Sequence, residues 1–154
     1  MESPLNYSNL GEVEVSYKYK SSLNQRPKLS SPLEVFEFAK YLFHQDRLGL
    51  QEQFIVIYLN KSNKVIGSCN LFTGSISACV VDVKLILATG LKLMAHGVIV
   101  LHNHPSGNMQ PSDPDISLTN KIKYALELLD MTLLDHLIVS PDNRFIAFSQ
   151  EGYL

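Results

Sequence analysis

His102-Asn103-His104-Pro105-Ser106-Gly107, followed by Pro111-Ser112-Asp113-Pro114-Asp115, is the stretch of this chain whose residue types could do chemistry. Two histidines at i and i+2 leave the end of a strand on one face, because strand side chains alternate. A carboxylate, Asp115, returns eleven residues after His104 through a loop rich in proline and glycine. Two imidazoles and a carboxylate suit zinc, which takes nitrogen and oxygen donors in a tetrahedral set. Three protein ligands leave the fourth position to water, the mark of a catalytic site. Plainer readings stand beside this one. A histidine beside a core is commonly structural. Ser112 and Asp115 have the spacing of a capping box, with Pro114 early in the helix, so they could simply open a helix. The two readings are compatible, since a serine can cap a helix and still face a site.

Glu52 precedes an apolar run and so stands at a strand end. A glutamate near a metal but not bound to it suits the general-base role toward an activated water. It also reads as an ordinary charged residue at the mouth of a strand. Asp135-His136 reads as core packing or as a support behind the site.

The elements that must position these residues follow from periodicity. Gly97–Leu101 is short, β-branched and glycine-bounded, a buried strand that delivers His102 and His104 and that Pro105 must end. Glu52–Leu59 is nearly continuous in apolar residues and is therefore a central strand. Asn60–Lys64 turns it into a hairpin partner, Val65–Phe72, and Ser75–Val80 reads as a further extended piece. Met131–Val139 and Arg144–Ser149 read as the last two strands. A helix opens at Ser31-Pro32-Leu33-Glu34, with Glu34 completing a capping box, and runs to near His44–Arg47. A second runs from Asp82 to about His96, with Val83, Leu85, Ile86, Leu87, Leu91, Leu93 and Met94 facing the core and Gly97 at its C-cap. A third carries Ile116, Leu118, Ile122, Ala125, Leu126 and Leu129 and ends near Asp130. Glu12–Lys20 alternates polar and apolar residues, a half-buried strand able to pair with its own sheet or with a second copy. The sum is an α/β (α+β) fold, one mixed sheet flanked by helices.

At 154 residues the chain reads as an N-terminal arm, 1–30, and one domain, 31–154, large enough for its own core. The formal charge of −2 gives no support to a surface built for nucleic acid, and Lys18, Lys20, Arg26, Lys28 and Lys40 read as a solvated basic face. Cys69 and Cys79 match no zinc-ribbon spacing and read as small hydrophobes rather than a disulfide. Residues 1–20 hold no secretory apolar core, and no run reaches membrane-spanning length, so a cytoplasmic setting is expected.

Glu52, then His102-x-His104-Pro105, then Ser112-x-x-Asp115 together resemble the signature of the JAMM (MPN-type) zinc metalloprotease family. The fuller string from His102 to Gly107, with Pro111, Ser112, Asp115 and Thr119, is similar to the RadC branch, as is Leu134–Val139. The resemblance covers roughly residues 31–154 and is most specific at 102–119. It implies a curved sheet flanked by helices, like that of cytidine deaminases. It implies zinc on His102, His104 and Asp115, Glu52 as general acid/base and Ser112 stabilising an oxyanion. The implied activity is a metallohydrolase, a peptidase or isopeptidase, with a peptide or protein substrate of unknown identity. Val81-Asp82-Val83-Lys84 departs from the branch, where His-Pro-Arg-Glu is common. Two rivals accompany this reading. One is a non-catalytic MPN-type binding module, disfavoured because every ligand is kept. The other is a DNA-repair factor, which rests on the branch name alone.

Overall fold

Alternation decides which helix each strand residue meets. In the computed structural model, which describes residues 22–74 and 81–154, β1 (Glu52–Leu59) carries seven consecutive buried residues. Its odd positions Ile55, Ile57 and Leu59 pack with Ile99, Leu101, Leu137 and Val139, and with Val35, Phe36 and Ala39 of α1 (Pro32–Ala39). Its even positions Phe54, Val56 and Tyr58 pack with Val98 and Val100. On that face they also meet Val83 and Ile86 of α2 (Val83–Leu93) and Ile122 and Leu126 of α3 (Asp113–Glu127). A strand apolar on both faces must lie inside a sheet covered on both sides, as the unbroken apolar run of β1 requires.

The sheet is mixed, with order β2-β1-β3-β4-β5. β1 lies between β2 (Val65–Gly74) and β3 (Gly97–Asn103) and is antiparallel to both. β3 runs parallel to β4 (Thr132–Val139), and α3 makes the crossover that parallel strands need. β5 (Phe145–Ala147) closes the far edge antiparallel to β4. An α/β fold with one helix-flanked mixed sheet is therefore what the chain forms. Among the described residues, no helix is long and apolar enough to cross a membrane.

Several boundaries differ from the periodicity reading, each for a local reason. α1 stops at Ala39, and the side-chain amide of Gln45 donates to the carbonyl of Lys40 just beyond it. Ser31 caps α1, but the Glu34 carboxylate accepts from the amide of Ser30, one residue upstream of the expected box partner. α2 ends with Met94 in the left-handed region at φ 52°, not at Gly97. Gly97 instead opens β3, where a Cβ would come within 2.5 Å of Leu134 Cδ1. Its stripe is Val83, Ile86 and Gly90, which leaves Leu85, Leu91 and Met94 exposed rather than core-facing. The last strand is only Phe145–Ala147. Asp135 takes the amide of Ser149 and draws the chain into the single-turn helix α4 (Phe148–Glu151). Cys69 is a half-buried free thiol. The expected strand at 12–20, the extended piece at 75–80 and Cys79 lie outside the described residues.

Candidate metal centre

β3 divides its last residues between the two faces of the sheet. His102 falls in register beside Phe54 and Ile138, on the face covered by α2 and α3. Asn103 falls on the opposite face, toward the segment that precedes β1. The amide of His104 still donates to the carbonyl of Val139, and Pro105 then ends the ladder. A tight turn follows, in which the amide of Gly107 donates to the carbonyl of His104 at 2.9 Å. Gly107 has φ +75°, which a glycine adopts without steric cost. The turn brings the carbonyl of Asn108 to 2.6 Å from His104 Nδ1. A carbonyl only accepts, so Nδ1 carries the hydrogen and His104 offers Nε2 as a lone pair.

Ser112 caps α3 in a full capping box. Its hydroxyl oxygen accepts from the amide of Asp115, and its own amide donates to Asp115 Oδ2 at 2.8 Å. Its hydroxyl donates to the same Oδ2 at 2.6 Å. The capping reading is thus realised, and it also fixes the carboxylate that faces the histidines.

Donor atoms of three residues converge. His102 Nε2 and His104 Nε2 are 3.0 Å apart, His102 Nε2 lies 3.3 Å from Asp115 Oδ1, and His104 Nε2 lies 3.4 Å from Asp115 Oδ2. Donors each about 2.0–2.2 Å from one ion at tetrahedral angles stand roughly 3.3–3.5 Å apart. The two histidine–carboxylate separations, one to each oxygen of Asp115, match that span, and the histidine pair stands closer. Nitrogen and oxygen donors suit zinc, and His102, His104 and Asp115 could hold a metal ion. His102 is 1 % exposed, whereas His104 and Asp115 keep 16 % and 15 %. The centre therefore has a closed back and a side open to solvent.

Electrostatics agrees with the geometry. Burial alone would push the Asp115 carboxyl up, but the imidazoles of His102 and His104, with Ser112, outweigh it and hold it well below the usual carboxylate range. The contact with Asp115 raises His104 above its ordinary value, burial opposes the rise, and the Asn108 carbonyl and the charge of Glu52 add to it. Glu52, half-buried at the start of β1, is therefore within electrostatic reach of His104.

Asn103 and Thr119, given no role by sequence reasoning, and His136, read there as core packing or as a support, adjoin this cluster. Asn103 binds the segment that leads into Glu52 through bonds to Leu48, Gln51 and Gln53. His136 is fully buried, as its core reading expects, and burial lowers its pKa well below the ordinary imidazole value. It is not only packing, because its Nε2 lies 2.7 Å from His102 Nδ1. Thr119 lies 2.6 Å from the other nitrogen of His136. The signals were there to read: Thr119 is four residues after Asp115, on the same helix face, and His136 is in the strand that pairs with β3.

Comparison with known proteins bears on the same residues. A family model described as "RadC-like JAB domain" matches residues 29–153. A UPF0758 protein of Aquifex aeolicus is 38% identical over 142 residues, covering 92% of this chain and 59% of the relative. One from Shouchella clausii is 42% identical over 129 residues, covering 83% of this chain and 54% of the relative. One from Flavobacterium johnsoniae is 46% identical over 101 residues, covering 66% and 44% respectively. The chain thus spans about half the length of these curated relatives.

Proposed function

The chain belongs to the RadC-like JAB domain family, and from that premise we propose that it is a zinc-dependent amide hydrolase, a peptidase or isopeptidase. The observation that supports this most is the cluster of His102, His104 and Asp115, which could hold a metal ion, with Glu52 within electrostatic reach of His104. Zinc held by these residues would supply a Lewis acid for a carbonyl oxygen and would lower the pKa of a bound water to about 7.

The chain's own residues do the rest. Glu52 takes one proton from the water that adds to the scissile carbonyl, and returns it to the nitrogen as the C–N bond breaks. Ser112 donates to the developing oxyanion, which requires its hydroxyl hydrogen to turn away from Asp115 Oδ2, where it rests at 2.6 Å. A single well-placed donor of this kind is worth roughly 2.7–4 kcal/mol. The buried ring of His102 and the capped carboxylate of Asp115 keep the ligand geometry fixed through the cycle. We place the reaction in the cytoplasm, where free thiols such as that of Cys69 persist.

The test uses a library of linear and isopeptide-linked peptides read by mass spectrometry. The wild-type chain cleaves members of the library. Glu52→Gln keeps its zinc and loses turnover by about 100- to 10,000-fold. Full turnover by Glu52→Gln would show that Glu52 is not the base.

A further inference from the structure

Behind the metal ligands runs a chain of hydrogen bonds whose direction can be read from its far end. Thr119 Oγ1 lies 2.6 Å from the backbone carbonyl of Asp115, which can only accept, so the single hydroxyl hydrogen of Thr119 is spent there. Thr119 Oγ1 also lies 2.6 Å from His136 Nδ1. With no hydrogen left to give, Thr119 must accept, and His136 Nδ1 carries the hydrogen. His136 is buried completely, and its ring partners are Thr119 and His102, neither of them a carboxylate. A buried charge without a counter-charge is costly, so the ring is neutral and Nε2 is a bare lone pair. That lone pair lies 2.7 Å from His102 Nδ1 and must accept from it. The hydrogen of His102 is therefore on Nδ1, and Nε2 is offered toward His104 and Asp115.

We propose that Thr119 and His136 are positioning residues of the metal centre: they select the tautomer in which His102 presents Nε2, and tie that choice to the placement of Asp115. The circuit closes on itself. It leaves Asp115 through its carbonyl, passes Thr119 and His136, reaches His102, and returns to the Asp115 carboxylate at 3.3 Å. Strand and helix thus contribute their ligands as one unit. Without the Thr119 hydroxyl, His136 is free to place its hydrogen on Nε2. His102 would then accept at Nδ1 and carry a hydrogen on Nε2, where the metal belongs. Ligand-orienting partners of this kind affect metal affinity by about 10- to 100-fold.

This rests on the zinc reading above, and the test separates the two. Zinc affinity is measured on the full chain by competition with a chromophoric chelator, for wild type, Thr119→Ser and Thr119→Val. Valine keeps the buried volume and removes the hydroxyl, whereas serine keeps the hydroxyl and removes a methyl. Thr119→Ser should bind zinc within about threefold of wild type, and Thr119→Val about 10- to 100-fold more weakly. A purely packing role predicts the reverse order. Thr119→Val equal to wild type, or Thr119→Ser as weak as Thr119→Val, overturns the relay alone. A wild-type chain that takes up no zinc overturns the metal centre and the relay with it. Should Thr119→Val not fold, long-range proton–nitrogen spectra of the wild-type chain decide the matter. Hydrogens on Nδ1 of both His102 and His136 support the relay, and a hydrogen on Nε2 of either overturns it.

Discussion

The side-chain amide of Asn103 grips the peptide groups on both sides of Glu52. Its Nδ2 donates to the carbonyl of Gln51 at 3.0 Å, and its Oδ1 accepts from the amide of Gln53 at 2.7 Å. The second Nδ2 hydrogen goes to the carbonyl of Leu48 at 2.8 Å. Because Asn103 sits between His102 and His104, one residue links the end of β3 to the start of β1, where Glu52 stands. Replacing it with leucine strands three backbone groups in the interior. An unsatisfied buried polar group costs about 1–3 kcal/mol. Asn103→Leu should lower the urea midpoint accordingly and reduce hydrolysis while zinc is still taken up. Unchanged stability and turnover would show that Asn103 positions nothing.

Zinc binding should strengthen as pH rises. The contact with Asp115 raises His104 above its ordinary 6.5, so in the metal-free chain a proton occupies the nitrogen that zinc needs over a window above that value. Each pH unit below the raised value weakens binding about tenfold, because a proton must leave. The same proton stabilises the metal-free fold. With the folded value raised, that contribution is full below the unfolded value and is lost as pH climbs through the folded one. The depressed Asp115 works oppositely: its contribution is present above its unfolded value near 3.8 and lost only as pH falls through the folded one. The gap in melting temperature between zinc-loaded and zinc-free chain should therefore widen from about pH 6 to 8. Calorimetry that finds it constant or shrinking contradicts this assignment.

Asp135 is the clasp of the C-terminal segment. Its carboxylate accepts from the amides of His136 and Ser149 and from the Ser149 hydroxyl, at 2.8, 3.0 and 2.6 Å. Phe148, the residue before Ser149, stacks on the His136 ring at 4.4 Å between centroids. Asp135→Ala leaves two amides without their acceptor and should cost about 1–3 kcal/mol, read as a lower urea midpoint. Because Phe148 backs His136, the same variant should also weaken zinc binding, more than Ser149→Ala does. Equal stability of Asp135→Ala and wild type would remove the clasp.

What could be read from the chain depended on whether its cause was local. β1 was legible to the residue because a run apolar at every position from Phe54 to Leu59 has one placement, the middle of a covered sheet. The clustering of His102, His104 and Asp115 was legible because they sit close together in sequence, with turn-forming residues between them. Ser112 was legible as a cap, and its second task of fixing the Asp115 carboxylate needed the fold. Asn103 and Thr119 were not assigned, and for His136 core packing and a support behind the site stood side by side, since the deciding partners arrive from other elements. A buried polar residue in a strand looks like core until the atom opposite it is known. Helix ends were least legible. The stop after Ala39 involves a side chain six residues on, and the position of Gly97 is decided by Leu134 on a neighbouring strand.

The central claim is that His102, His104 and Asp115 hold one zinc ion. Metal-free full chain should be titrated with zinc, in the wild-type, His104→Ala and Asp115→Ala forms, with X-ray absorption used to read the bound metal. The expected result is one zinc per wild-type chain, on nitrogen and oxygen donors at about 2.0–2.2 Å, with uptake lost in both variants. No uptake by the wild type, or undiminished uptake by Asp115→Ala and His104→Ala, would contradict it.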